Sequence, residues 1–328
     1  MVSMQDIADR LNVSRSTVSL VLSGKAGSRV SEDVKKKVFQ TARELNYHVN
    51  EVARSLRTGS SRLIGVIVTD ISNEFFGRLT FHIQEEAKKA GYLVLTLNNN
   101  ESLPEFEEMV RALIGKQVDG IIAVPPSDGD AVVSYIQEMG VPVVTVDRAC
   151  EGLDVDYVGV DNYAAARSAV EGLLDDGFKN VALVALDLDI LPLNRRRDAY
   201  VDAMAAHGLQ ERTDIRLIPF GKEEESDLVG LLHGLRRKDA VFFTSRRAFT
   251  QTMAHLAWSN LTVPKNQCLL CFDDVQPYLT ARNEIRYVEQ PVDEMGRKAF
   301  DLLMDQIRGR GARSSYLYPT RCISNRKK

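Results

Sequence analysis

From residue 62 onward the chain repeats one pattern that few folds accommodate: short, almost wholly apolar runs of strand length, separated by helical stretches. "RLIGVIVTD", "YLVLTLNN", "DGIIAVPP" and "PVVTVD" form a first series. "NVALVAL", "IRLIPF", "AVFFTS" and "QCLLCFDD" form a second, closed by "IRYVEQP" and a helix over 292–309. A strand wetted on one side alternates apolar and polar residues, whereas a strand apolar throughout is buried on both faces, as in a parallel sheet covered by helices. Two series therefore predict an α/β core of two doubly wound parallel-sheet subdomains with a cleft between them. In open sheets of this kind ligands bind off the carboxyl ends of the strands. The residues there are Asp70 (with Asn73 just beyond it), Arg148, Asp161, Phe220, Ser245 and Asp273.

The first 60 residues follow a different rule. Ser3 is placed to cap a helix, with Asp6 as its capping-box partner, and Ile7, Ala8 and Leu11 fall at helical spacing. Asn12-Val13 makes a turn. Ser14 caps a second helix with Val18, Val21 and Leu22 on one stripe, and Ser31 caps a third carrying Val34, Val38, Ala42 and Leu45. A short helix over 51–57 and a Gly-Ser-Ser linker follow; so short a helix is marginal until something docks against it. Residues 1–60 hold 10 Lys+Arg and 6 Asp+Glu, a charge of +4, and the remainder holds 32 and 39, a charge of −7. A basic helical head on an acidic body suits contact with a polyanion.

The quoted stretches carry a family likeness. "MQDIADRLNVSRSTVSLVLSG" resembles the helix-turn-helix of the lactose/galactose-repressor (LacI) family, and "RVSEDVKKKVFQTARELNYHVNEVARSLRTG" resembles its third helix and hinge. "RLIGVIVTDISNEFFGRL", "VDGIIAVPP", "VVTVDR", "VGVDN", "VPKNQCLLCFDD" and "VEQPVDEMGRKA" resemble its ligand-binding core, in order. The core fold this implies is like that of periplasmic binding proteins. The boundaries implied are a DNA-binding head over 1–47, a hinge and linker over 48–60, and an effector-binding, dimerising core over 61–328. The core divides into an N-subdomain (about 61–173 and 290–319) and a C-subdomain (about 174–289 and 320–328).

The N-terminal part of the second helix of a helix-turn-helix enters the major groove. By the resemblance, Arg15, Ser16 and Leu20 face the bases: Arg15 suits guanine, and Leu20 suits a thymine methyl. Leu20→Arg should then change operator preference with stability nearly untouched. Ser14, Thr17, Ser19 and Arg29 suit phosphates, which set register without carrying sequence. On the hinge the family match gives Leu56 the role of a minor-groove wedge, with Ala53 and Asn50 beside it; the alternative for Leu56 is packing against the core. The family usually has Pro before this Asn, and Val49 stands there instead.

In the core, Phe76 and Phe220 are read either as stacking partners for an effector ring or as plain core residues. The resemblance makes Arg196 the effector-gripping arginine and Asp273 the acceptor of sugar hydroxyls, with Asp161 and Gln290 as further polar positions; a surface helix charge is the alternative for Arg196, and a helix-cap or turn role for Asp273, Asp161 and Gln290. Ala199 replaces a usual Gly, and Ser245-Arg246 replaces a frequent Asn-Asp. Arg246, with Arg148 and Arg195 to Arg197, opens the reading of an anionic effector such as a sugar phosphate or sugar acid, since guanidinium pairs these bidentately. The alternative is a neutral sugar, with Arg246 turned to solvent.

The expected protein is thus a sequence-specific transcriptional regulator, in the first instance a repressor, whose operator affinity is switched by a small effector in the cleft. Its partners are a near-palindromic double-stranded operator, the effector and a second copy of itself, in the cytoplasm and with no membrane. It is not an enzyme and has no cofactor or metal. The chain has no GxGxxG after the first strand and no P-loop lysine motif, its five histidines are scattered, and Cys268 and Cys271 should point to opposite faces of one strand. The rival readings are an α/β enzyme, or a small-molecule binding protein without DNA activity. The first 12 residues carry no apolar signal-peptide core.

Overall fold

The computed structural model describes residues 2–24, 26–47, 55, 58–220, 233–276, 283–311 and 313–325. The hinge residues Val49, Asn50, Ala53 and Leu56 lie outside these residues. Two compact units are present, Met1–Ser61 and Arg62–Lys328.

The head is built from α1 (Met4–Leu11), α2 (Arg15–Leu22) and α3 (Glu32–Glu44). Ser3 and Asp6 complete a reciprocal capping box, the Ser3 N–H donating to Asp6 Oδ2 at 2.7 Å. Those bonds hold the Asp6 carboxyl below its ordinary pKa. The chain leaves α1 through Asn12 in the left-handed region (φ 51°), a conformation asparagine tolerates better than most residues. Ser14 and Ser31 cap the next two helices. Ile7, Ala8, Val18, Val21, Val38 and Ala42 are buried together as the head's core.

The second unit contains two six-stranded sheets. One has the order β11-β5-β4-β3-β1-β2, with β1 at Leu63–Val68, β2 at Leu93–Asn98, β3 at Gly120–Ala123, β4 at Val143–Val146, β5 at Asp156–Val160 and β11 at Ser315–Tyr318. The other has the order β12-β10-β9-β8-β6-β7, with β6 at Val181–Asp187, β7 at Ile215–Pro219, β8 at Ala240–Phe243, β9 at Cys268–Phe272, β10 at Ile285–Glu289 and β12 at Arg321–Ser324. All pairings are parallel except β10 with β12, which is antiparallel. The central strands β3, β4, β8 and β9 are buried along their whole length, as their unbroken apolar runs require. The chain passes between the sheets after β5, after β10 and between β11 and β12.

Among the described residues seven further helices cover the faces: α4 (Glu74–Lys89), α5 (Leu103–Gly115), α6 (Asp130–Glu138), α7 (Asn162–Asp175), α8 (Leu191–Ala206), α9 (Arg246–Trp258) and α10 (Val292–Ile307). Cys268 packs in the cluster shared with α7 and α8, and Cys271 in the cluster on the opposite face of the same sheet, so the two thiols diverge. Among the described residues no group of side chains could hold a metal ion, and no helix is long and apolar enough to cross a membrane.

Candidate functional site

The carboxyl ends of the two sheets meet across a cleft with about 610 Å³ of non-protein space, counting its mouth. Nine of the residues expected there line it: Asp70, Asn73, Phe76, Arg148, Arg196, Phe220, Ser245, Asp273 and Gln290. Asp161 and Arg246 do not. Asp161 faces a neighbouring recess and caps α7, accepting the Ala164 N–H at 2.9 Å. Arg246 is turned away from the cleft toward Glu74 and donates to the Asp274 carbonyl at 2.6 Å.

Six further lining residues escaped the sequence reading and shape the chemistry: Thr69, Phe75, Glu101, Asp147, Pro192 and Arg247. Glu101 takes Arg148 in a bidentate grip (2.5 and 2.6 Å), and Arg148 also donates to the Pro125 carbonyl at 3.0 Å. Both side chains are almost wholly buried, so each supplies the other's counter-charge. Arg196 donates to Asn162 Oδ1 (2.9 Å) and the Thr244 carbonyl (2.8 Å), and its guanidinium lies 3.6 Å above the Phe272 ring. Burial lowers the Arg196 pKa, and the nearby Asp273 and Asp147 carboxylates oppose that shift. Arg247 reaches Asp70 Oδ2 at 3.1 Å and sits 4.7 Å over the Phe220 ring. Phe76 is both core and wall, packing edge-on to Phe75 at 5.0 Å while lining the cleft.

Asp147 and Asp273 both adopt positive φ (66° and 86°), uncommon for residues with a side chain and concentrated at functional sites. Burial pushes the Asp147 carboxyl up to about 6, against the pull of Arg148 and Arg196. Gln290 Nε2 donates to Asp273 Oδ1 at 2.5 Å. Thr69 Oγ1, Arg148 Nε and Gln290 Oε1 are buried with no partner among the described residues. Buried polar atoms are rarely left so, and all three belong to residues that line the cleft.

On the head, the Ser14 hydroxyl accepts the Thr17 N–H at 3.1 Å and is hydrogen-bonded to the hydroxyls of Ser16 (2.7 Å) and Thr17 (2.8 Å). Arg15, Ser16 and Arg29 are exposed, and Ser19 is half-buried. Leu20 is half-buried as well and packs against the head's core. The expectation that Leu20→Arg leaves stability nearly untouched is therefore corrected, since part of its surface is structural.

Residues 3–50 match the model of bacterial regulatory proteins of the lacI family, residues 64–229 that of a periplasmic binding protein domain, and residues 170–327 that of a periplasmic binding protein-like domain. The chain is 30% identical to the probable HTH-type transcriptional regulator EndR of Paenibacillus polymyxa over 93% of its length and 90% of that protein. It is 29% identical to the sucrose operon repressor of Pediococcus pentosaceus over 98% of its length and 97% of the relative. Its fold matches the crystal structure of the lac repressor dimer bound to operator and the anti-inducer ONPF with a TM-score of 0.82, covering 98% of this chain and 97% of that one at 21% identity. The chain belongs to the lacI family of bacterial regulatory proteins and is a DNA-binding transcriptional regulator with an effector-binding core.

Proposed function

We propose that this regulator is a repressor whose effector is a neutral sugar, held between Asp147 on one wall of the cleft and Asp273 and Arg196 on the other. The observation that carries this reading is the charge balance of the cleft. Its three guanidiniums, Arg148, Arg196 and Arg247, stand among four carboxylates, Asp70, Glu101, Asp147 and Asp273. Arg148 and Arg247 are each already paired with one of these. At Arg148 or Arg247 a phosphate or carboxylate would have to displace an internal partner and leave that partner's charge uncompensated, and at Arg196 it would lie beside the Asp147 and Asp273 carboxylates. Sugar hydroxyls can instead donate to Asp147 and Asp273 and accept from the unpartnered Arg148 Nε. The name of the sucrose operon repressor is in keeping with this class. Arg246, Arg195 and Arg197, which suggested an anion, are engaged elsewhere: with Glu74 and Asp274, with Glu151 at 3.7 Å, and with Asn194 at 3.1 Å.

On the DNA side, Arg15, Ser16 and Leu20 read bases while Ser14, Thr17, Ser19 and Arg29 meet phosphates. A homodimer acts on a near-palindromic operator in the cytoplasm, with Asn50, Ala53 and Leu56 assigned to the hinge contact. The effector acts by binding one arrangement of the core better than another, and shifts DNA affinity by no more than that difference.

Two measurements test the reading. Fluorescence anisotropy on the DNA upstream of its own gene, with salt varied, should give specific binding with a steep negative salt slope. Calorimetry should then show binding of a neutral sugar from a panel including sucrose and D-ribose, and none of ribose 5-phosphate or gluconate. Binding of an anion alone would overturn the neutral-effector reading.

A further inference from the structure

The cleft is bridged along one side by three ion pairs that run from one subdomain to the other. On the N-terminal side Asp70, Glu74 and Arg78 recur at four-residue intervals, Asp70 in the turn after β1 and the other two one turn apart on α4. Facing them, Arg246 and Arg247 open α9, and Asp274 follows β9. Arg247 Nη1 meets Asp70 Oδ2 at 3.1 Å, Arg78 Nη1 meets Asp274 Oδ2 at 3.4 Å, and the Arg246 guanidinium contacts the Glu74 carboxylate. Two acids and a base thus oppose two bases and an acid, so no single pair can part widely without straining the others.

Two of the carboxylates are fixed in advance. Asp70 Oδ1 accepts from the Ser72 N–H (2.9 Å) and hydroxyl (2.5 Å), leaving Oδ2 to reach across. Asp274 Oδ1 accepts the Gln276 N–H (2.8 Å), again leaving Oδ2 for the opposite wall. Only Asp70 and Arg247 line the effector cleft; Glu74, Arg78, Arg246 and Asp274 line a smaller recess beside it.

We propose that this cluster is an electrostatic latch that holds the cleft closed without an effector and so governs how readily the effector enters. The proposal rests on the cleft being the effector site, but its test needs no effector. Pairs as partly exposed as these are individually weak and are screened by salt; acting together on one opening motion, they shift the balance between closed and open cleft.

The test is pulsed electron–electron double resonance on the full chain, spin-labelled at Glu108→Cys on α5 and Asp198→Cys on α8 in a Cys322→Ser background, diluted with unlabelled chain. The unliganded parent at low salt should show one short interlabel distance. Glu74→Gln with Arg78→Gln, which alters no cleft-lining residue, should add a longer-distance population. Asp274→Asn, which keeps the acceptor for Gln276, should do so to a smaller degree, and 1 M NaCl should open the parent while changing the double variant little. Distance distributions unchanged by the variants and by salt would overturn the latch. Titrating sucrose and D-ribose into the same samples tests the effector reading separately, since a working latch with no response to any sugar counts against the effector class alone.

Discussion

Asp147→Asn probes the cleft at the point where folding and binding conflict. Asp147 is 9% exposed, and burial raises its carboxyl pKa from an ordinary 3.8 to about 6. A carboxyl with a raised folded pKa binds its proton more tightly in the native state. Its contribution to stability is therefore greatest below pH 3.8, falls as pH rises toward about 6, and stays at the lower level above that. At about 1.4 kcal/mol per pKa unit, the shift corresponds to roughly 3 kcal/mol of stability lost at pH 7. Asparagine keeps the shape, suits the left-handed backbone and carries no charge. The variant should therefore be more stable than the parent at pH 7 by up to about 3 kcal/mol, less whatever Arg148 and Arg196 lose with the counter-charge. Residues 62–328 make 267 residues (328 − 61). A melting entropy of about 0.56 kcal/mol/K for a unit of that size converts this to a rise of roughly 5 °C in Tm. The assay is calorimetric or urea unfolding of both proteins from pH 4 to 7.5 at fixed ionic strength, read as the difference between them so that other titrating groups cancel. The difference should be near zero at pH 4 and grow to its plateau above pH 6. A pH-independent difference, or a variant less stable at pH 7, would refute the reasoning. The same variant should bind its sugar less tightly, because the strained carboxylate is the group a ligand hydroxyl relieves.

Three further outcomes follow from named contacts. Glu101→Gln leaves the Arg148 guanidinium buried without its bidentate partner, which should cost about 3 kcal/mol in urea unfolding at pH 7, the low end for such a loss because Asp147 lies close enough to compensate. Arg15→Ala should cost about 1–3 kcal/mol of discrimination at one operator position, read by selection from a randomised operator library; an unchanged preference would make Arg15 a surface charge. Leu20→Arg should change the preferred base at its own position and also lower head stability by about 1 kcal/mol, because a partly buried apolar side chain is lost; thermal melting and the same library separate the two effects.

What could be read in the sequence followed burial. The central strands announced themselves because parallel strands covered on both faces must be apolar throughout. β11 and β12 were missed because they are short, mostly exposed strands, with nothing in "SYLY" or "RCIS" to mark a wall of the core. Within the cleft, residues directly after strands were found and those a step away were not. Arg246 was expected inside and Arg247 overlooked because both open one helix, where successive side chains point about 100° apart. Ser245 caps that helix, and only its geometry decides which arginine faces the ligand. Glu101 was not visible because its partner Arg148 is 47 residues away, and no local pattern records such a pairing.

The two sheets wind alike, and β4 in one occupies the place of β9 in the other. Each is followed by an aspartate at positive φ whose N–H donates to the neighbouring strand, Asp147 to the Val158 carbonyl (2.9 Å) and Asp273 to that of Val288 (3.0 Å). Equivalent backbones thus deliver two carboxylates to opposite walls of one cleft, but their surroundings differ. Asp273 accepts from Gln290 Nε2 (2.5 Å) and from the Arg246 N–H (3.3 Å), while no hydrogen bond reaches the Asp147 carboxylate among the described residues. The same substitution should therefore act with opposite sign at the two places. Asp147→Asn removes a poorly compensated buried charge and should stabilise. Asp273→Asn weakens two bonds to a charged acceptor and should destabilise by about 1–3 kcal/mol. Unfolding both variants at pH 7 decides the matter: changes of the same sign would mean that local hydrogen bonding does not distinguish the two walls, and that Asp147 is not the carboxylate left open for the ligand.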